Sequence, residues 1–349
     1  DVWAQINSST ASVLRINYGS TALTPTGTVS VGAISFLPTL TVTGTTTYEF
    51  RNSSSTTKGT LRFYGIDTTI DGVPRRIILD NQTSVGNIGV SQSSQGQDYE
   101  LYTDGVINVA ATTSLTLSPA IRNGGGVPRS ITKVGPGLLT LGGVSYAAST
   151  TNSSTNSTYS GGFILDGGVV ALANSGTAGV GTSFGLGPLT LRSGTLRATN
   201  ALGRTIYSSM VLDGTATVGS TVAAQTGNFT FSNSGSTTLK SNSALTIVEG
   251  GTADWQQVMS GSGSLTKAGP GVLQLSGNAQ FSTAVGGFVV DGGIVQWANS
   301  GTAGVGTPFG LGPLTLRSGT LRSTGTIGRS DRKSTRLNSS HANISYAVF

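Results

Sequence analysis

Residues 174–197 read NSGTAGVGTSFGLGPLTLRSGTLR, and they carry the strongest indication of how this chain folds. Residues 299–322 repeat it at an offset of 125 positions, with Pro308 in place of Ser183. Within both copies the Leu-Thr-Leu run alternates apolar and polar side chains, so that successive residues face opposite sides of a strand. Two nearly identical segments this far apart indicate a stack of similar structural units.

A second repeated segment precedes the first. Residues 131–143 read ITKVGPGLLTLGG and residues 265–277 read LTKAGPGVLQLSG, at an offset of 134. The difference of nine positions between the two offsets is absorbed by residues 149–158, STTNSSTNST, which predict an extruded polar loop. A repeat that accepts an insertion at one point is typical of a solenoid with side loops.

Glycine-rich triplets separate the alternating runs. They are Gly-Pro-Gly (135–137 and 269–271), Asp-Gly-Gly (166–168 and 291–293) and Ser-Gly-Thr (193–195 and 318–320). Glycine supplies positive φ and proline removes a ladder donor, so these triplets predict turns between strands of about six residues or fewer.

These features together predict an all-β fold, a parallel β-helix whose coils of roughly 20–25 residues stack along one axis. We expect residues 1–330 to form a single β-solenoid, in which residues 131–206 and 265–329 are related repeat units. One helical turn is expected near residues 254–259. The structural alternative is a two-sheet antiparallel sandwich.

Composition limits the chemistry available to the chain. Its 349 residues include 52 Gly, no Cys and a single His, His341. The absence of cysteine excludes disulfides, zinc–thiolate sites and thiol nucleophiles, and one histidine leaves little basis for a Ser-His-Asp triad. No apolar run reaches the roughly 18 residues that a membrane-spanning helix needs. We therefore predict that the protein is not an enzyme and has no catalytic residue, metal site or cofactor.

Residues 331–349, DRKSTRLNSSHANISYAVF, resemble a translated sequencing adapter and differ in composition from the rest of the chain. We expect this tail to be non-native and both natural termini to be missing from the sequence. Without the tail, 17 Lys and Arg stand against 13 Asp and Glu, a net charge of +4. The arginines are scattered rather than clustered, which predicts no nucleic-acid partner.

The Leu-Thr-Lys-x-Gly-x-Gly-x-Leu-x-Leu pattern resembles the autotransporter-associated β-strand repeat, also called the passenger-associated transport repeat. Residues 131–142 and 265–277 carry its first half. Residues 156–162, NSTYSGG, followed by Asp-Gly-Gly at 166–168, resemble its second half.

That resemblance implies a right-handed β-helix in a secreted or surface-displayed bacterial protein. It implies an extracellular or outer-membrane location, a structural or adhesive role, and a C-terminal β-barrel or other anchor that the sequence lacks. Host or matrix glycans or proteins are the partners that such a passenger would meet. A phage or envelope fibre module is an alternative.

A glycan-active β-helix enzyme, of the lyase or hydrolase type, is the other alternative. Its candidate site residues are Asp67, Asp71, Arg75 and Arg76, because such enzymes use clustered acids beside basic residues. The sequence favours a plainer interpretation, in which residues 71–74 form a turn beside solvated arginines.

Two further groups of residues are interpreted as structural. Asp166 and Asp291 recur in the repeat, but one acid per repeat cannot supply the six to eight oxygens, roughly, that calcium takes. They are therefore predicted to be turn residues. Trp3, Trp255 and Trp297 are expected to cap the core rather than to bind carbohydrate.

Overall fold

The computed structural model describes residues 4–6, 28–30, 34–36, 46–52, 60–67, 75–83, 98–109, 111, 113–117, 121–142, 157–276, 284–298 and 307–324. For strands before residue 101 it gives the backbone course and pairing only. The chain divides into two compact units, residues 1–188 and 189–349.

The described elements of both units are β-strands, apart from short 3-10 turns at Gly124–Gly126 and Ala223–Gln225. The strands of the first unit are β1 (Ala4–Ile6), β2 (Thr28–Ser30), β3 (Ile34–Phe36), β4 (Thr46–Asn52), β5 (Thr60–Asp67), β6 (Arg75–Thr83), β7 (Asp98–Asn108), β8 (Thr113–Leu117), β9 (Ile121–Asn123), β10 (Ser130–Val134), β11 (Leu138–Leu141) and β12 (Gly162–Leu172). The strands of the second unit are β13 (Leu189–Ala198), β14 (Arg204–Ile206), β15 (Met210–Leu212), β16 (Thr215–Val218), β17 (Phe229–Phe231), β18 (Ser236–Leu239), β19 (Ser243–Ile247), β20 (Thr252–Trp255), β21 (Val258–Gly261), β22 (Leu265–Ala268), β23 (Val272–Leu275), β24 (Phe288–Trp297) and β25 (Leu314–Ser323).

The strands pair in parallel with strands of the next coil, which confirms the predicted parallel β-solenoid and rules out the antiparallel sandwich. In the second unit β14, β17, β20 and β23 form one such series. In the first unit β10 lies between β7 and β12 in the same way. Parallel strands need long connections, and here the rest of each coil supplies them.

Side chains of equivalent positions stack into rows inside the coils. One row of the second unit runs through Ile206, Phe231, Trp255 and Leu275. The rings of Phe231 and Trp255 stack with their centroids 4.0 Å apart, and the Trp255 side chain is fully buried. Trp255 is therefore a core residue that lies within the row, between Phe231 and Leu275, rather than capping it as predicted. Each fully buried large apolar side chain contributes about 1.5–3 kcal/mol to folding.

The expected helical turn near residues 254–259 is wrong. The segment contributes the end of β20 and the start of β21, and burial alternates along it, with Trp255, Gln257 and Met259 inside. Period-two burial is the pattern of a strand, and the parallel partner strands on either side extend it.

The predicted limit on strand length is also wrong. The strands β12, β13, β24 and β25 have 10 or 11 residues each, and the Asp-Gly-Gly and Ser-Gly-Thr triplets lie inside them. The glycines do bend the backbone as expected, with φ of 66° at Gly168 and 99° at Gly319. Because hydrogen bonding continues on both arms of each bend, the triplet becomes a corner within one strand rather than a turn between two.

The predicted polar loop falls mostly outside the described residues, which exclude 149–156. Ser157 is described and is buried, with its backbone bonded to Thr182 and its hydroxyl accepting from the amide of Ile121. The tail at residues 331–349 and the end of the second repeat unit, residues 325–329, also lie outside the described part, as does Trp3.

Candidate functional site

The structure describes the backbone of three of the four candidate glycan-site residues. Asp67 ends β5, where it pairs with Asn108 of β7. Arg75 and Arg76 begin β6, and pair with Thr113 and Ser114 of β8. Asp71 lies outside the described residues. The structure therefore gives Asp67, Arg75 and Arg76 backbone positions on two different strands, β5 and β6.

The site that the structure does build lies at the repeated Thr-Lys-x-Gly-Pro-Gly motif. Lys133 stands in an inward row between Ile107 and Leu165, so its aliphatic stem packs among aliphatic side chains. The residue has no exposed surface. Its neighbour Thr132 points outward and is half-buried. Strand alternation thus places a charged side chain inside the coil.

The Lys133 ammonium donates hydrogen bonds to three backbone carbonyls of the corners. Nζ lies 2.9 Å from the oxygen of Val134 and 2.6 Å from that of Gly135, both in its own coil. It lies 3.0 Å from the oxygen of Gly167, at the corner of the next coil. An ammonium group has three N–H donors, so one side chain bonds to all three carbonyls, of which that of Val134 also accepts from the Val109 amide at 3.1 Å.

Lys267 occupies the equivalent place in the second copy of the motif. It lies in an inward row between Leu245 and Val290 and has no exposed surface. Its Nζ donates to the oxygens of Gly269 at 2.6 Å and Gly292 at 2.9 Å. Both lysines therefore join the Gly-Pro-Gly corner of one coil to the Asp-Gly-Gly corner of the next. We call each arrangement a lysine-capped corner.

Burial lowers the pKa of both Lys133 and Lys267 from 10.5 to about 8, because removing the ammonium from water disfavours the charged form. The carbonyl contacts favour that charged form. At neutral pH each corner therefore holds a protonated lysine whose donors are committed to the backbone. This arrangement holds each coil against the next through the lysine ammonium group.

Glycine is required where the two corners meet. A Cβ on Gly168 would lie 2.3 Å from the oxygen of Gly135 and 2.7 Å from Lys133 Nζ. A Cβ on Gly293 would lie 2.5 Å from the oxygen of Gly269 and 2.5 Å from Lys267 Nζ. The second glycine of Asp-Gly-Gly is therefore needed both for positive φ and for the close approach of the capped carbonyls.

The two aspartates of these triplets lie at the corners where the sequence placed them. Asp291 pairs in register with Ala268 and Ser318. Its carboxylate accepts a hydrogen bond from Ser318 Oγ at 3.3 Å and lies 3.8 Å from a guanidinium nitrogen of Arg317. Within the described ranges, no cluster of His, Asp or Glu is suited to hold a metal ion.

The outer faces carry stacked polar side chains. On one face of the second unit Asp254, Gln274, Gln296 and Arg322 follow one another in register. The Gln296 amide donates to Gln274 at 2.5 Å, and the Arg322 guanidinium donates to Gln296 at 2.6 Å. The result is a polar ladder that crosses four coils.

Comparison with known proteins finds no relative of this chain. No known protein family, no curated protein and no solved structure matches the chain. Among the described residues no helix has the length and hydropathy needed to cross a membrane. Function has to be inferred from the fold and from the lysine-capped corners.

Proposed function

We propose that the chain is a structural and adhesive passenger segment of a secreted or surface-displayed bacterial protein of the autotransporter type. The observation that carries the proposal is the lysine-capped corner, which recurs at both copies of the motif that resembles the passenger repeat. A motif whose glycines and lysine cooperate in stacking one coil on the next suits a protein that must fold progressively as it leaves a pore.

The physical basis of the proposal is sequential templating. Each coil offers its successor a parallel strand edge, an aliphatic row and corner carbonyls, so folding can propagate from coil to coil. The sequence has no cysteine that could close a coil by a disulfide before export. The polar ladder on the outer face provides repeated hydrogen-bonding groups suited to weak, multivalent contacts with glycans or matrix proteins.

A display experiment tests this proposal. The chain is fused between a secretion signal and an outer-membrane translocator, and its amount on the cell surface is measured by protease accessibility and antibody binding. A Thr217→Cys/Thr246→Cys pair then joins neighbouring outward positions of β16 and β19. Adjacent strands lie about 4.8 Å apart, which is within disulfide range.

The unmodified chain should reach the surface, and the cysteine pair should reduce its display several-fold under oxidising conditions, with recovery on addition of reductant. Thr217→Cys alone is the matched control, because the chain has no other cysteine with which this thiol could close a loop. Unchanged display despite a proven disulfide between positions 217 and 246 would contradict the proposal. The adhesive part is tested by binding of the displaying cells to immobilised matrix proteins and glycans.

A further inference from the structure

Asn123 and Gly124 form the only Asn-Gly pair in the sequence. Asparagine followed by glycine is the pair most prone to spontaneous deamidation, because glycine has no Cβ that keeps its backbone nitrogen away from the asparagine side chain. In the structure Asn123 ends β9, and the 3-10 turn Gly124–Gly126 follows it directly. The contacts of this turn therefore decide whether the reaction can occur in the folded chain.

The Asn123 side chain is held through both of its polar atoms. Its Oδ1 accepts hydrogen bonds from the backbone amides of Arg129 at 3.0 Å and Ser160 at 3.2 Å. Its Nδ2 donates to Ser160 Oγ at 2.9 Å. Ser160 belongs to the next coil, where the amide of Gly161 donates to the Arg129 carbonyl at 2.9 Å. The side chain thus ties the glycine turn to the coil stacked on it.

The backbone conformation at Asn123 keeps the reacting atoms apart. Deamidation begins when the Gly124 nitrogen attacks Cγ of Asn123, and the succinimide ring can close only at negative ψ, where that nitrogen lies on the same side as the side chain. Asn123 has a φ of −68° and a ψ of 127°, so its extended backbone directs the nitrogen away from Cγ. Rotation of ψ would also disturb the parallel pairing of Asn123 with Leu101. Ring closure therefore requires the turn to open.

We propose that Asn123 is a deamidation site that is closed in the folded coil and open in the unfolded chain, so that its conversion marks chains that have not folded. In the open chain the Gly124 nitrogen bonds to Cγ of Asn123. The proton of that nitrogen and the side-chain amino group leave together as ammonia, and a succinimide remains. Water then adds to either succinimide carbonyl, and cleavage of its bond to nitrogen gives aspartate or isoaspartate.

The two products differ in whether the turn can form again. Aspartate at position 123 still offers one oxygen to the amides of Arg129 and Ser160, and the Ser160 hydroxyl can donate to its other oxygen. In isoaspartate the main chain runs through the former side-chain methylene, so the backbone is one atom longer and the side-chain acceptor is lost. The folded coil should therefore accept aspartate and exclude isoaspartate.

Peptide mapping by mass spectrometry of the purified full-length chain tests the closed state. Folded chain and chain held in concentrated guanidinium chloride are incubated at mildly alkaline pH, and the deamidated fraction at position 123 is followed over time. Because the reaction needs local opening, conversion should be at least about tenfold slower in the folded chain. Equal rates in the two conditions would overturn the proposal.

A pair of serine variants tests whether the contacts of Asn123 close the site. Ser160→Ala removes the acceptor of Asn123 Nδ2 and should speed conversion several-fold in the folded chain. Ser234→Ala, the matched control, removes an exposed hydroxyl in the second unit that donates to the Tyr207 carbonyl, and it should leave the rate unchanged. Equal rates in the two variants would contradict the role given to Ser160.

Refolding tests the fate of the two products without any variant. Chain aged in denaturant is refolded, treated briefly with protease to remove unfolded molecules, and mapped against synthetic peptides that carry aspartate or isoaspartate at position 123. The resistant chain should contain aspartate and be several-fold depleted in isoaspartate. Isoaspartate retained at its starting proportion would overturn the proposal, because the folded coil would then not distinguish the modified chain.

Discussion

At the scale of single residues, the feature that distinguishes this solenoid is a lysine buried without loss of its hydrogen bonds. Lys133 and Lys267 stand in rows of aliphatic side chains, and each turns its ammonium toward corner carbonyls. The energetic cost of removing a charge from water is set against the cost of leaving several carbonyls unpaired. The arrangement makes the corner sensitive to pH and to added volume.

The first prediction concerns pH. The pKa of both buried lysines is about 8 in the folded chain, against the ordinary value of 10.5. Between these values the unfolded chain binds more protons, so the free energy of unfolding should rise with pH, by at most about 1.4 kcal/mol per pH unit for each lysine. The contribution is fully present above the unfolded pKa and is lost as pH falls through 8.

Denaturant unfolding at closely spaced values between pH 7 and the pKa of free tyrosine measures this slope. Above that limit Tyr159 acts in the opposite direction, since burial raises its pKa well above 10. Lys267→Met removes one of the two titrating lysines, so the slope of unfolding free energy against pH should fall by at most about 1.4 kcal/mol per pH unit. A variant with an unchanged slope would show that Lys267 does not titrate in this window.

The second prediction concerns the glycine between the capped corners. Gly293→Ala places a Cβ 2.5 Å from two backbone carbonyls at a φ of +63°. Gly250→Ala has a similar φ of +71°, but its Cβ has no neighbour within 4 Å. The Gly250 variant should lose about 1–2 kcal/mol of unfolding free energy from backbone strain alone, and the Gly293 variant about 1–3 kcal/mol more from the forced shift of the corners.

Equilibrium unfolding in denaturant compares the two variants directly. Because φ is matched, their difference isolates the steric contribution. Equal losses in Gly250→Ala and Gly293→Ala would mean that the corner has room for a methyl group, contrary to the close approach in the structure.

At the scale of elements, a second buried polar arrangement ties β18 to its neighbours. The Trp255 indole donates to the Thr237 hydroxyl at 2.9 Å, and that hydroxyl donates to the Gln257 side-chain oxygen at 2.8 Å. The Gln257 amide donates in turn to the carbonyl of Ser208 at 2.8 Å. Thr237, Trp255 and Gln257 have no exposed surface, so the chain of bonds replaces water completely.

The third prediction follows from this network. Thr237→Val preserves side-chain shape but removes the acceptor of the Trp255 indole and the donor to Gln257. We expect a loss of about 2–4 kcal/mol in unfolding free energy, since two buried polar groups are left unpaired. Thr238→Val, on the exposed face of the same strand, should change stability by about 0.5 kcal/mol or less. Thermal and denaturant unfolding would contradict the prediction if the two variants behaved alike.

The elements also show what the sequence could and could not predict. Alternation along Leu139-Thr140-Leu141 correctly places the leucines inside, because period two is a property of any extended strand. The same alternation, continued from Ile131 and Thr132, would have placed Lys133 inside. The alternation therefore indicated an inward Lys133, but a charged residue is normally assigned to the solvent-facing side. Only the fold reveals the backbone carbonyls that accept hydrogen bonds from its ammonium group.

Corners were harder to predict than faces. Glycine triplets such as residues 193–195 signal a change of direction, and positive φ at Gly194 confirms it. They do not say whether hydrogen bonding stops there. It continues because the neighbouring coil bends at the same place, as β24 and β25 do with a register shift at Asp291. That information resides in the stacking of coils rather than in any one segment.

At the scale of the whole molecule, a solenoid derives its stability from neighbouring coils, so effects of substitution should stay local. The partners of Lys133 all lie in the first compact unit and those of Lys267 in the second. The fourth prediction is that Lys133→Met and Lys267→Met each cost about 1–3 kcal/mol at neutral pH, because corner carbonyls lose their donor. The double variant should show the sum within about 0.5 kcal/mol.

Hydrogen–deuterium exchange with peptide mapping locates each effect. Lys133→Met should speed exchange in β10–β12 and Lys267→Met in β22–β24, with little change at the other site. Lys240→Met is the matched control: its side chain is 61% exposed and pairs with Asp213 at 3.1 Å, and such surface pairs contribute about 0–1 kcal/mol. If Lys133→Met speeded exchange as much in β22–β24 as in β10–β12, the corners would be acting through a global transition. The coil-by-coil folding on which the proposed passenger role rests would then lose its physical basis.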